Sequence, residues 1–335
     1  MGWRSNSHDL FAASYARAAE AVIFALLLML LLIVVVAPEN IPHAGRTMQS
    51  LITAFLLFAA VMQGARRIRQ GRLEIYIRIA ATLIVFDFVY AAMEQLQHAF
   101  VLEWNDQQLL NLEILFAGIP WGEWLQRIVN PYLTEATMFA YVSYTLLLPL
   151  TGVICHTSGG SRAADDYLLT LGIAFSICFV GFMVFPVASP LHYSPASYTV
   201  PLEGGLFTQC GEWIRAHKQY PGGNLPSPHC AGATVMLGML IRYRKNSALV
   251  ALPTILLIYA ATVYGRYHYT WDAIAGIATG TVALWVGPTI AGFVCRLLIL
   301  SDKRTVRAGD LMGSNLGSQV YQLSSNDQTI EGEPS

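Results

Sequence analysis

Residues 21–37 read AVIFALLLMLLLIVVVA, seventeen positions without a polar side chain. The run is longer than the apolar stretch of about 7–15 residues in a cleaved leader. A long polar segment precedes it and Pro38 follows it, so it reads as a retained membrane anchor. The rest of the chain has the same character. Of 335 residues, 55% are hydrophobic and 12% charged, with a mean hydropathy of +0.48. A soluble domain carries about 25% charged residues. Composition therefore excludes a soluble dinucleotide-fold enzyme, a disordered regulator and a nucleic-acid binder with a basic face, and it makes the bilayer the expected partner.

Seven further apolar runs, at 48–64, 76–93, 133–154, 168–187, 230–241, 248–264 and 273–300, bring the expected count to about eight spans. The fold class is all-α, a polytopic transmembrane helix bundle, and the run at 230–241 is short enough to need residues from its flanks. Segment 100–130 mixes Trp104, Trp121 and Trp124 with acids and reads as interfacial helix. The chain divides into N-terminal helices and interfacial segment (1–130), a catalytic membrane domain (131–300) and a tail (301–335) whose Ser, Asn, Gly and acid content predicts disorder.

Positive charge orients this bundle. Arg66, Arg67, Arg69 and Arg72 follow the second helix, Arg242, Arg244 and Lys245 the sixth, and Lys303, Arg304 and Arg307 the eighth. An eight-helix count places all of these on one side with the N-terminus. Both termini are expected to be cytoplasmic. Loops 188–228 and 265–272 then share the extracytoplasmic or lumenal side, and they hold the chemistry.

The first of these loops ends in Gly222-Gly223-Asn224-Leu225-Pro226-Ser227-Pro228-His229 and runs into an apolar helix. Ser227 suits an N-cap, and the free N–H groups of a helix start suit an anion. The second reads Tyr264-Gly265-Arg266-Tyr267-His268-Tyr269-Thr270-Trp271-Asp272. His268 and Asp272, four apart, share one face of a helical turn. The carboxylate would fix the imidazole tautomer and leave the other ring nitrogen as a nucleophile. Arg266 adds a planar guanidinium for a phosphoryl oxygen. Either motif alone is weak; together, in order and on one face, they point to phosphoryl chemistry.

Pro226-Ser227-x-His229-x-Ala231 followed by His268-x-x-x-Asp272 resembles the type 2 phosphatidic acid phosphatase superfamily. Thr262-Val263-Tyr264-Gly265, His268-Tyr269, the Glu135, Tyr141, Tyr144 and Pro149 pattern, and Phe185-Pro186-x-x-x-Pro190 resemble its inositol-phosphorylceramide synthase-like (inositolphosphotransferase) branch. The resemblance spans about 130–280 and implies a six-helix phosphatase core preceded by extra N-terminal helices. It also implies a reaction that needs no metal or cofactor. His268, oriented by Asp272, would attack phosphorus to give a phosphohistidine, and His229 would serve as general acid and then base. Ser227, Gly223 and nearby N–H groups would hold the phosphate with Arg266. The substrate class is a phospholipid or sphingolipid, with a polyol as acceptor in a transferase and water in a phosphatase.

The chain departs from the family in its cations. It has no Lys-x6-Arg-Pro segment before Ser227, and Thr262 stands where an Arg precedes the second His. Arg266 and His192 are then the candidates for the positive side of the pocket. Asp87, inside the third span, is expected to face the protein interior. Glu135 reads as an ordinary acid near a helix start, or as a group steering an acceptor hydroxyl. A reading of another class, a transporter or scaffold with a degenerate phosphatase fold, would follow from the missing arginines.

Overall fold

The computed structural model describes residues 3–68 and 71–326, and among these every regular element is a helix. Helix α1 (Trp3–Val36) stops just before Pro38, which cannot continue it. An αα-hairpin follows, α2 (Ala44–Ala65) and α3 (Gly71–Leu96). Two short helices, α4 (Asp106–Ala117) and α5 (Trp121–Leu125), occupy the segment expected at the interface. Helix α6 (Pro131–Val184) starts at Asn130, whose side chain accepts from the Leu133 N–H. It breaks at Gly160, whose φ of +72° is a conformation that favours glycine. Its two arms, 131–159 and 161–184, are the expected fourth and fifth spans. After α7 (Pro190–Tyr193) and α8 (Leu206–Lys218) come α9 (Pro228–Tyr243), α10 (Lys245–Tyr264) and α11 (Thr270–Asn326).

Six of these helices, α1, α2, α3, α6, α10 and α11, are long and apolar enough to cross a membrane. Counting both arms of α6 and adding α9 gives eight segments. The polytopic helical bundle expected from the sequence is therefore what the chain forms. At 16 residues α9 rises only about 24 Å, because it starts inside the protein, where Ser227 and Pro228 are buried. It packs against α6, α10 and α11. Gly276 and Gly280 of α11 permit that approach: a Cβ on Gly276 would lie 2.4 Å from the Ser227 carbonyl oxygen, and one on Gly280 2.6 Å from that of Ala231. Helix α1 packs on α6 and α11 and α3 on α6, so the N-terminal helices share the core of the rest, while α2 lies outermost against α3 and α1.

Two expectations differ from the structure. The backbone continues α11 to Asn326 where the composition predicts a disordered tail; no proline between 289 and 326 interrupts the helix, and 327–335, like Arg69, lie outside the described residues. Asp87 is exposed on α3 rather than turned inward.

Because the segments alternate in direction, the loops at 97–130, 185–227 and 265–269 meet at one end of the bundle. Gln97 Nε2 donates to the Pro221 carbonyl at 2.8 Å, and the Ser227 N–H donates to the Asp272 carbonyl at 3.0 Å. The opposite end carries arginine–carboxylate pairs between α1, α3, α6 and α9.

Candidate active site

Ser227 caps α9, its Oγ accepting from the Cys230 N–H at 3.4 Å, and Pro228 fills the first helical position, where no N–H is needed. This places His229 in the first turn of α9. The other motif hangs from the end of α10. The Gly265 N–H bonds the Ala261 carbonyl at 2.8 Å, and the Tyr267 and His268 N–H groups both bond the Thr262 carbonyl, at 3.1 and 3.0 Å. Thr262 thus anchors the turn that presents His268.

The two imidazoles come together with their centroids 6.0 Å apart. His268 is 3% exposed and Asp272 fully buried. Nδ1 of His268 lies 3.5 Å from Asp272 Oδ2, longer than a hydrogen bond. Asp272 Oδ2 accepts from the Tyr269 N–H at 2.9 Å, so the carboxylate is fixed by the backbone of the turn it serves. His229 Nδ1, His268 Nδ1 and Asp272 Oδ1 are buried without a hydrogen-bond partner. Burial holds the His268 imidazole well below the usual histidine range, with a hydrogen bond to the Asn224 backbone opposing it. His268 is therefore neutral at pH 7, the state a nitrogen nucleophile requires. His229 is held by aromatic faces. Tyr141 stacks on it at 4.6 Å and on Tyr267 at 4.3 Å, while Tyr144 lies 4.7 Å from His229 and donates its hydroxyl to the Pro228 carbonyl at 3.0 Å.

The other expected residues are placed less directly. Arg266 is 7% exposed with φ +65°, and its guanidinium donates to the Val200 carbonyl and lies 4.9 Å from the Tyr198 ring centroid. Among the described residues no carboxylate pairs with it, and desolvation lowers its pKa. Gly223 donates its N–H to Gln97 Oε1 at 3.2 Å. His192 is exposed on α7 with Nδ1 2.8 Å from Ser189 Oγ, and no described contact joins it to His229 or His268. Glu135 accepts from the N–H groups of Gly205 and Phe207 at 2.7 Å and of Thr208 at 3.1 Å, and from the Thr208 hydroxyl. It anchors the start of α8.

Sequence reasoning missed two acids on α4. Asp106 is fully buried and accepts from the N–H groups of Ala188 and Ser189 and from the Tyr269 hydroxyl, at 2.8, 3.1 and 2.9 Å. Burial raises its carboxyl to about 6 against those hydrogen bonds. Glu113 accepts from the Thr270 N–H at 2.7 Å and the Trp121 N–H at 3.0 Å, and burial raises its pKa too. Between them they grip Tyr269 and Thr270, which lie within the His268–Asp272 turn. The available signal was their i, i+7 spacing, which puts both on one face of an interfacial helix.

One end of this helical bundle thus brings a buried His268 and Asp272 together with a half-buried His229. A family model of the PAP2 superfamily matches residues 107–286, more than half of the chain, and the chain belongs to that superfamily. The match includes α4, and membership supports an activity of lipid phosphatase or phosphotransferase type. No curated protein and no solved structure matches the chain.

Proposed function

We propose that this protein transfers a phosphoryl or phosphoalcohol group from a lipid through a phosphohistidine on His268. The observation that carries the proposal is the convergence of His229, His268 and Asp272 at one place, with Nδ1 of both rings buried and without a hydrogen-bond partner. His268 attacks phosphorus, the P–O bond to the leaving alcohol breaks, and His229 gives that oxygen its proton. In the second half-reaction neutral His229 takes the proton of the acceptor hydroxyl. The acceptor oxygen attacks phosphorus, and the P–N bond breaks to regenerate His268. Asp272 orients His268 and balances the charge it gains. Ser227, Gly223 and the backbone N–H groups at the start of α9 hold the phosphoryl oxygens. Arg266 and, from the rim, His192 supply positive charge once they leave their present partners. No metal or cofactor takes part.

Two acceptors compete on the same histidines. In the transferase reading, favoured by the resemblance to inositol-phosphorylceramide synthases, the donor and acceptor are a phospholipid, a sphingolipid and a polyol headgroup such as inositol. Burial of His268 and Asp272 from water supports it, because a closed site favours an acceptor that arrives bound. In the phosphatase reading water is the acceptor. The arginine-rich loops at the far end support cytoplasmic termini and an extracytoplasmic or lumenal site.

Purified protein given phosphatidate, or ceramide with a phosphoinositide, is the direct test, read by mass spectrometry of the lipid products with and without added inositol. His268→Ala is expected to lower turnover on the order of 10³-fold or more. Full turnover by that variant would remove His268 as nucleophile, and products independent of a polyol would select the phosphatase reading.

A further inference from the structure

The α2–α3 hairpin precedes the segment matched by the family, and the catalytic chemistry gives it no task. Its two helices border an open groove of about 300 Å³, with His43, Arg46, Ser50 and Ala91 exposed along it. One wall is His43, Arg46, Thr47 and Ser50, the other Phe88, Ala91, Ala92 and Gln95. Each wall follows i, i+3, i+4, i+7 spacing, so one face of each helix turns toward the other. The hairpin is antiparallel. Gln95 is therefore level with the start of α2, beside His43 and Arg46, and Phe88 lies nearer the middle of the bundle. The groove grades from cationic and polar at the end that carries the histidines to apolar farther in. Continuing that way, Leu57 (Ser50 + 7) and Ile84 (Phe88 − 4) are 61% and 68% exposed on spanning helices.

Two groups in this groove lack partners. Gln95 Oε1 is buried with no hydrogen bond, and Arg46 is exposed, with no carboxylate at ion-pair distance among the described residues. A buried acceptor without a donor costs about 1–3 kcal/mol. A ligand that satisfies Gln95 Oε1 and pairs with the exposed Arg46 must present an anion and a hydrogen-bond donor a few ångströms apart, on an apolar body that follows Ile84 and Leu57. From this geometry we infer that the groove binds the headgroup of a glycerophospholipid. The phosphodiester lies against Arg46 and Ser50, a headgroup hydroxyl or ammonium donates to Gln95 Oε1, and the acyl chains run along the outer faces of α2 and α3.

This site is separate from the catalytic one. The opposite side of α3 meets the catalytic loop: the Tyr90 carbonyl accepts from the Tyr220 hydroxyl at 2.9 Å, and Gln97 bonds Pro221 and Gly223. The bound lipid is therefore a resident that braces α3 behind that loop, and it is not substrate in transit. A free phosphate would satisfy Arg46 and leave the apolar wall uncovered.

The test is native mass spectrometry of the full chain carrying His268→Ala, so that no added lipid is consumed, titrated with phosphatidylglycerol. One lipid per chain is expected to be retained. Arg46→Ala should weaken that binding at least tenfold and Arg46→Lys by less. Ala91→Trp, which fills the groove and keeps the charge, should also abolish retention. Diacylglycerol and inorganic phosphate should not compete. Undiminished retention in both Arg46→Ala and Ala91→Trp would overturn the proposal, and so would displacement by inorganic phosphate, which would make this a free-anion site. Turnover by the parent chain is measured separately, so a failure of the catalytic reading leaves this result standing.

Discussion

At the arginine-rich end of the bundle Arg78 meets Asp165 at 2.7 Å, Arg242 meets Asp166 at 2.7 Å, and Glu20 lies between Arg66 and Arg78. At the histidine end Asp106, Glu113 and Asp272 are just as buried, yet the groups they accept from are backbone N–H groups and a tyrosine hydroxyl, Asp272 Oδ1 has no partner, and among the described residues no arginine or lysine pairs with them. The buried guanidinium there, Arg266, rests on a carbonyl and an aromatic face. One end sets each of its buried carboxylates against an arginine. The other keeps negative charge on neutral donors and a cation without an anion, an arrangement that gains a partner when a phosphate arrives. Charged groups within a membrane protein are costly unless paired or used, and here the two ends separate those cases.

The largest effect is expected where a buried carboxylate is paired with a buried arginine. Arg78→Ala would take from the buried Asp165 the arginine that pairs with it at 2.7 Å, and from the buried Glu20 one of its two arginines, a loss of about 3–5 kcal/mol. Unfolding of the detergent-solubilised protein by heat or denaturant should show it, while turnover per folded molecule stays near that of the parent. An unchanged unfolding curve with lost turnover would erase the distinction between the two ends.

How this contrast divides also explains what the sequence can reveal. Eight helical segments are legible because apolar runs and Pro or Gly boundaries are local signals, and the Ser227 cap and the His268–Asp272 spacing lie within single turns. Which groups cross the site is not legible. The Asp106 to Tyr269 bond joins residues 163 apart, and Thr262 fixes His268 through its carbonyl, which every residue type possesses. Of Arg266 the sequence shows only the charge. Its φ of +65° and its place on Val200 and Tyr198 depend on a loop whose path composition does not encode. The break in α6 is written as Gly159-Gly160, but two glycines in a polar stretch do not say which one takes the left-handed conformation.

An intermediate effect is expected at Asp106, and it depends on pH. In an unfolded chain an aspartate titrates near 4, and in the fold Asp106 titrates at about 6. Between these values the folded state holds a proton that the unfolded state has lost. The stabilisation is complete below about pH 4 and disappears as pH rises through about 6. A difference of this size between the two states corresponds to roughly 1–3 kcal/mol. Melting curves at pH 4, 5, 6 and 7 should therefore fall more steeply for the parent than for Asp106→Asn, which cannot titrate. Parallel slopes would mean that the N–H donors of Ala188 and Ser189 outweigh burial and keep this carboxylate ionised throughout.

The smallest effect sharpens the comparison from within the arginine-rich end. Arg66 and Arg78 both face Glu20, but the Arg66 side chain is 51% exposed and that of Arg78 5%. An exposed partner is screened by water and salt and contributes about 0–1 kcal/mol, and after Arg66→Ala the Glu20 carboxylate keeps Arg78 at 3.8 Å. The variant should unfold within about 1 kcal/mol of the parent, and raising the salt to about 1 M, where screening reaches about 3 Å, should remove the remaining difference. A cost as large as that of Arg78→Ala, insensitive to salt, would mean that Glu20 draws its compensation from the rim. Pairing at this end would then depend on a water-exposed residue, and burial would no longer distinguish the arginine that sustains the bundle from the one that decorates it.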